Sequence, residues 1–173
     1  NNFKKEMARF VAKAKADDKG YANGRAPWAA RSFDDSSWGV MRLPEKVQTV
    51  WPSTNGVFWF RKEVEIPSSW VGKELTLSLG PVDDFDETYF NGKLVGSGEV
   101  WNMAREYVIP GRLVKTGKSV LCIRVTDDHG DGGIYGAPDQ LYLEGPDGTQ
   151  IPLEGEWKVK MSLDFGSRQA STA

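Results

Sequence analysis

The stretch from Val82 to Gly136 constrains the chain most. It begins VDDFDETYFNGKLVGSGEVWN and ends IRVTDDHGDGGIYG, so runs of alternating apolar residues are broken by tight turn signals. Thr88 to Phe90 and Lys93 to Val95 are β-prone arms around Asn91-Gly92, a dipeptide whose tolerance of positive φ suits a two-residue type I′ turn. Further on, Leu121, Ile123 and Val125 share one face of a run that breaks into Asp127, Asp128, His129, Gly130, Asp131, Gly132 and Gly133. A core strand therefore delivers a polar, glycine-rich loop to one end of a sheet.

The period of two recurs along the chain. Phe58, Phe60, Val64 and Ile66 alternate with Trp59, Arg61, Glu63 and Glu65 before Pro67 ends the run, and Leu75, Leu77 and Leu79 alternate with Thr76 and Ser78. Glu106 to Ile109 is a short strand closed by Pro110-Gly111. LYLEG and TQIPL flank the turn Pro146-Asp147-Gly148, and Trp157, Val159, Met161 and Leu163 alternate with Lys158, Lys160, Ser162 and Asp164. Roughly seven to nine short strands with no helical patterns between them predict an all-β fold, an antiparallel jelly-roll β-sandwich. The missing helices argue against a parallel α/β sheet.

One helix is predicted. Phe3, Met7, Phe10, Val11 and Ala14 form an amphipathic stripe among lysines, ending near Gly20. The stripe needs cover, either from the core of this domain or from a neighbouring one. Between Tyr21 and Gly56 the density of large aromatics, Trp28, Trp38 and Trp51 among them, predicts an ordered wrap. The expected division is a helical connector over 1–20, the sandwich over 21–165 and a polar tail or linker over 166–173.

A chain of 173 residues holds one domain and buries about 70% of its unfolded surface, so no staple is needed. With 22 Lys and Arg against 24 Asp and Glu, a net charge of -2 disfavours nucleic acid and membrane as partners. No apolar run approaches the ~20 residues that span a bilayer, and NNFKKEMARF lacks the apolar core of a signal peptide. A start in mid-helix and the ending GSRQASTA read as an excised piece. The single cysteine, Cys122, lies in an apolar strand pattern where a buried, inert thiol is expected.

The series GVFWFRKEVEIPSSWVGKELTLSLGPVDDFDETYFNGKLVGSGEVWN, then YVIPGRLVKTGKSVLCIRVTDDHGDGGIYG, resembles the β-sandwich domain of bacterial sialate O-acetylesterases. More distantly it is similar to the sugar-binding jelly roll of family 2 glycoside hydrolases, of the galactose-binding-like fold. FDDSSWGVMRLP and IPLEGEWKVKM fit the same pattern, so the likeness runs from about Ser32 to Leu163. In that family the sandwich is inserted into a catalytic domain of the SGNH hydrolase type. This sequence contains no Gln-Ser-Asn-Met or Gly-Asp-Ser nucleophile block, no Asp-x-x-His block and no Gln-Gly-Glu-Ser-Asn block. The resemblance implies an esterase parent that removes O-acetyl groups from sugars, a catalytic domain of the same parent chain as partner, and a bacterial periplasmic or extracellular location. The helix and the tail would be the crossings into that domain.

Three chemistries compete for the polar residues. Serine-based ester hydrolysis must use His129, the only histidine, with Asp127, Asp128 or Asp131 to orient it and Gly130, Gly132 and Gly133 to offer backbone N–H groups. No serine stands at a strand-to-helix elbow, so no catalytic residue is assigned. Paired carboxylates for glycoside hydrolysis, drawn from Asp83, Asp84, Asp86, Glu87 and the later loop, read as turn chemistry unless they face one cleft. Calcium finds hard oxygens at Asp127, Asp128 and Asp131, but the run does not match the EF-hand loop, and one histidine with one cysteine is too few for a transition metal. No metal and no cofactor are assigned.

Sugar binding remains. A pyranose offers an apolar face and a rim of hydroxyls, which an aromatic platform and bidentate polar groups recognise. Trp101, Asn102 and Arg105 supply such a set, and Asp127, Asp128 and His129 are expected to converge on it from the same end of the sandwich. The competing reading is that Trp101 only caps the core. Trp59 and Trp70 are expected to serve packing or an interface, and Trp157 the apolar face of the last strand. The preferred function is a non-catalytic accessory sandwich of a carbohydrate O-acetylesterase; an autonomous carbohydrate-binding module and a purely structural insert are the alternatives.

Overall fold

The computed structural model describes residues 1–166, so most of the expected polar tail lies outside the described residues. A helix, α1 (Asn2–Asp17), is capped by the Asn1 side chain, which accepts from the Phe3 N–H at 3.0 Å. Twelve strands follow: β1 (Gly39–Leu43), β2 (Glu45–Lys46), β3 (Asn55–Ile66), β4 (Leu75–Asp83), β5 (Phe85–Phe90), β6 (Lys93–Gly98), β7 (Ala104–Ile109), β8 (Gly117–Asp127), β9 (Gly133–Ile134), β10 (Tyr142–Glu144), β11 (Gln150–Pro152) and β12 (Gly155–Gly166). Every strand pair is antiparallel. One sheet has the order β1-β12-β3-β8-β5-β6; the other runs β11-β10-β4-β9-β2, with β7 also paired to β4. The all-β sandwich with one N-terminal helix is therefore the fold of the chain.

The alternation read from the sequence becomes two faces of one sheet. Phe58, Phe60, Leu121, Ile123, Val125, Phe90, Trp157 and Val159 point inward and meet Leu75, Leu77, Leu79, Val82, Ile109, Ile134 and Leu143 of the second sheet. Burying such side chains contributes about 1.5–3 kcal/mol each, which makes this layer the main stabilising element. The opposite face of β3 and β8 is also covered: Val57, Trp59, Tyr89 and Cys122 lie under Tyr21, Trp28, Ala29, Phe33 and Trp38. The aromatic-rich segment is thus an ordered wrap, and β3 and β8 are central strands buried on both sides. Burial pushes the Cys122 thiol up to about 12, which leaves it protonated and unreactive.

Local signals set the turns as expected. Asn91 and Gly92 both adopt positive φ, 48° and 83°, the type I′ geometry that joins β5 to β6. The second hairpin joins β10 to β11, with Gly148 at φ 82°.

Two buried arginines, Arg61 and Arg124, tie irregular segments to the first sheet. Arg61 donates to Asp35 at 2.8 Å and to the carbonyls of Trp28, Ala30 and Phe33, pinning the wrap. Arg124 donates to Asp18 at 2.7 Å and to Glu87 at 3.2 Å. Asp18, extended and buried, also accepts from Gly20 N–H and Trp59 Nε1. The helix therefore stops at Asp17, short of the expected Gly20, because the chain must turn there to insert this carboxylate. Only the later turns of α1 rest on the sheet: Ala14 is buried, Phe10 meets Phe165 at 5.1 Å between ring centroids, and Lys15 pairs with Glu87 at 3.3 Å, while Phe3 is 68% exposed.

Candidate functional site

Two concave regions bear on the polar loops and the helix among the described residues. One, of about 830 Å³, lies between α1 and the outer face of the first sheet, with Phe3, Met7, Val11, Phe85 and Leu94 on its walls. The other, of about 390 Å³, opens at one end of the sandwich between Glu45, Lys46, Asp83, Trp101, Asp131 and Tyr135. The second is where the chemically rich loops meet.

Four segments build this recess. The β6–β7 turn carries Trp101, which is 55% exposed and so presents its ring outward instead of capping the core. Tyr135, just after β9, donates its hydroxyl to the Trp101 carbonyl at 2.7 Å and holds that turn. The end of β4 contributes Asp83, and β2 contributes Glu45 and Lys46. Lys46 Nζ lies 3.3 Å from Asp131 Oδ2 across the mouth, so the lysine is already neutralised by one of three carboxylates.

The expected ligand set divides in the structure. Trp101 lines the recess, and Asn102 is exposed on the same turn. Arg105 is turned the other way and is buried: Nε donates to Asp86 at 2.6 Å, one terminal nitrogen donates to Val100 and Met103 carbonyls, and the other to Val82 and Asp84 carbonyls. All five of its donors are engaged within the chain, so it positions the Trp101 turn instead of offering a fork to a ligand. Asp86 completes this knot by accepting from Tyr107 and Thr88. Burial pushes its carboxyl above the usual range while Arg105, Tyr107 and Thr88 pull it back.

The loop after β8 divides too. Asp127 is fully buried, accepts from Gln48 Nε2 at 2.8 Å through Oδ2, and has no partner for Oδ1. Burial, reinforced by the charges of Asp83 and Asp128, pushes its carboxyl up to about 7. Gln48 also donates to the Gly130 carbonyl and accepts from the Gly132 N–H, so it closes the loop over Asp127. His129 is exposed, and its Nδ1 meets Asp128 Oδ1 at 2.8 Å. Asp84 stands behind this pair. Burial and hydrogen bonds to Asp83 and Asp128 push Asp84 up to about 10, so it is protonated at neutral pH. Burial works to raise Asp128 as well, but its bonds to Asp84 and His129 prevail and hold it below the usual carboxylate range.

Asp84, Asp128 and His129 each offer a ligand atom within 4.8 Å of the others, fewer than the six to eight oxygens calcium takes. Asp127, Asp128 and Asp131 do not form such a set among the described residues: Asp127 is drawn inside by Gln48 and Asp131 outward by Lys46. His129 has a carboxylate partner and no serine hydroxyl bonded to it among the described residues. The arrangement offers a ring platform, carboxylate acceptors and an ammonium donor, groups that can hold a polar ligand. The sequence offers no assignment for Glu45, Lys46 and Tyr135, and it reads Asp83 as turn chemistry unless it faces one cleft with the later loop, which it does here beside Asp131. Only the glycine-rich GGIYG around Tyr135 carried any signal.

No protein-family model matches the chain, and no curated protein matches it. Solved structures do. A Bacteroides uniformis β-glucuronidase is similar with TM-score 0.56 and 21% identity over 82% of this chain and 16% of that one. The B. uniformis β-glucuronidase 2 bound covalently to cyclophellitol-6-carboxylate aziridine gives 0.57, 22%, 82% and 16%. A glycosyl hydrolase family 2 member from Bacteroides cellulosilyticus gives 0.56, 21%, 82% and 19%. This chain thus spans less than a fifth of each of these proteins, and the likeness establishes that it shares the fold of a β-sandwich segment within them.

Proposed function

We propose that the chain is a non-catalytic accessory β-sandwich of a carbohydrate-active hydrolase, and that its recess around Trp101 meets part of the sugar substrate. The observation that carries this reading is the half-exposed indole set among Asp83, Asp131 and Tyr135 at the loop end of the sandwich. The parent enzyme we infer from the sequence resemblance is a bacterial sialate O-acetylesterase. Its SGNH-type domain would be the partner in the same chain, working in the periplasm or outside the cell. The shared fold with segments of family 2 glycosyl hydrolases supports the carbohydrate setting; the esterase chemistry rests on the resemblance.

The test has two parts. Monosaccharide titration of this chain, followed by tryptophan fluorescence, is expected to show nothing tighter than millimolar, because an accessory recess supplies only part of a site. Saturable micromolar binding would instead identify an autonomous binding module. In the parent gene, a serine block upstream and a histidine block downstream are expected, and their absence would remove the esterase assignment. Unchanged turnover of a folded parent carrying Trp101→Ala would reduce the domain to a scaffold.

A further inference from the structure

We propose that the recess around Trp101 selects a protonated amino sugar and rejects sugar acids. The inference rests on the accessory reading above and adds the chemical class of the unit held there. Three carboxylates, Glu45, Asp83 and Asp131, share the lining with one ammonium, Lys46, and that ammonium is held by Asp131 at 3.3 Å. Asp84, next in the chain to Asp83, is protonated and adds no charge, and Arg105 beneath the turn is matched by buried Asp86. Among the described residues that line it, the recess therefore carries three carboxylates against one paired ammonium, an excess of two negative charges.

Trp101 sharpens the preference. Its exposed ring accepts the apolar face of a pyranose, and a ring quadrupole also attracts a cation placed over it. A 2-amino-2-deoxy sugar satisfies both demands, since its ring stacks while its ammonium reaches Asp83 or Asp131. A hexuronate or a sialate brings a carboxylate into the same negative field. On the esterase reading, the acid sugar then lies on the catalytic domain and the recess takes an adjoining, non-acidic unit of the glycan.

The expected size follows from Coulomb's law. Two net charges roughly 6 Å from an ammonium in a water-like dielectric change the dissociation constant about tenfold relative to a neutral sugar, and about a hundredfold relative to an anion. These factors shrink as salt screens the field.

The experiment titrates the chain at low ionic strength with glucosamine, N-acetylglucosamine, glucuronate and methylammonium. It follows the indole N–H resonance of Trp101, assigned through Trp101→Phe. Glucosamine is expected to bind about tenfold more tightly than N-acetylglucosamine, with glucuronate weakest, and Asp83→Asn should narrow the gap. Equal binding of glucosamine and N-acetylglucosamine, or stronger binding of glucuronate, overturns the charge selection while leaving a sugar site in place. Methylammonium binding as strongly as glucosamine reduces the recess to a bare cation site and also overturns it. Silence with every sugar removes the recess as a sugar site, whereas the hydrolase reading falls separately, on the parent's flanking blocks.

Discussion

Replacing Arg105 with methionine separates a residue that builds the site from one that contacts a ligand. The change keeps most of the aliphatic stem and removes the guanidinium. In the native chain that group bonds Asp86 at 2.6 Å, the Val100 and Met103 carbonyls on either side of Trp101, and the Val82 and Asp84 carbonyls where β4 passes into β5. Asp86 has no solvent exposure on its side chain, so the variant strands a buried carboxylate. Breaking a buried pair from one side costs about 3–5 kcal/mol, a large fraction of the 5–15 kcal/mol typical of a domain. Guanidinium unfolding read by tryptophan fluorescence measures the loss as a lower midpoint at similar slope. Adding Asp86→Asn removes the stranded charge while leaving an acceptor for Tyr107 and Thr88, and is expected to restore about half of the lost stability or more. A loss below about 1 kcal/mol for the single variant, or no recovery in the double, would refute the argument. A ligand-facing Arg105 would instead leave stability intact and change only sugar binding.

Three further outcomes follow from the same geometry. Asp18→Ala removes the partner of buried Arg124 and of Trp59 Nε1; it should lower stability by about 3 kcal/mol and shift tryptophan emission as the wrap loosens. Asp127 has a folded-state value raised to about 7, so the folded chain holds a proton that the unfolded chain has released. Stability should then fall as pH rises from about 4 to about 7, by at most ~1.4 kcal/mol per unit from this group, and Asp127→Asn should flatten that slope in unfolding curves. A Cβ at Gly132 would clash with the Asp127 carboxyl group, which Gln48 holds in place. Gly132→Ala should therefore cost about 1–3 kcal/mol and raise amide exchange in the loop that carries Asp131.

Much of the fold was legible because its determinants are local. Asn91-Gly92 specifies its own turn, since positive φ is a property of those two residues, and the alternation along β3 and β12 follows from a backbone that points successive side chains to opposite faces. The two-residue strands β2 and β9 leave no trace in the sequence because two residues carry no period. The end of α1 differs from the expected Gly20 for another reason: Asp18 is drawn out of the helix by Arg124, a residue 106 positions away.

From its sequence the chain is an antiparallel sandwich with one helix, an aromatic wrap and a polar loop at the end of β8, because periodicity and turn chemistry act over a few residues. The tertiary structure alone decided that Trp101 faces outward and Arg105 inward, that Asp127 is sealed by Gln48, and that Glu45, Asp83 and Asp131 share one recess. Exposure and charge environment are set by which distant segment covers a side chain, and no local pattern encodes that choice.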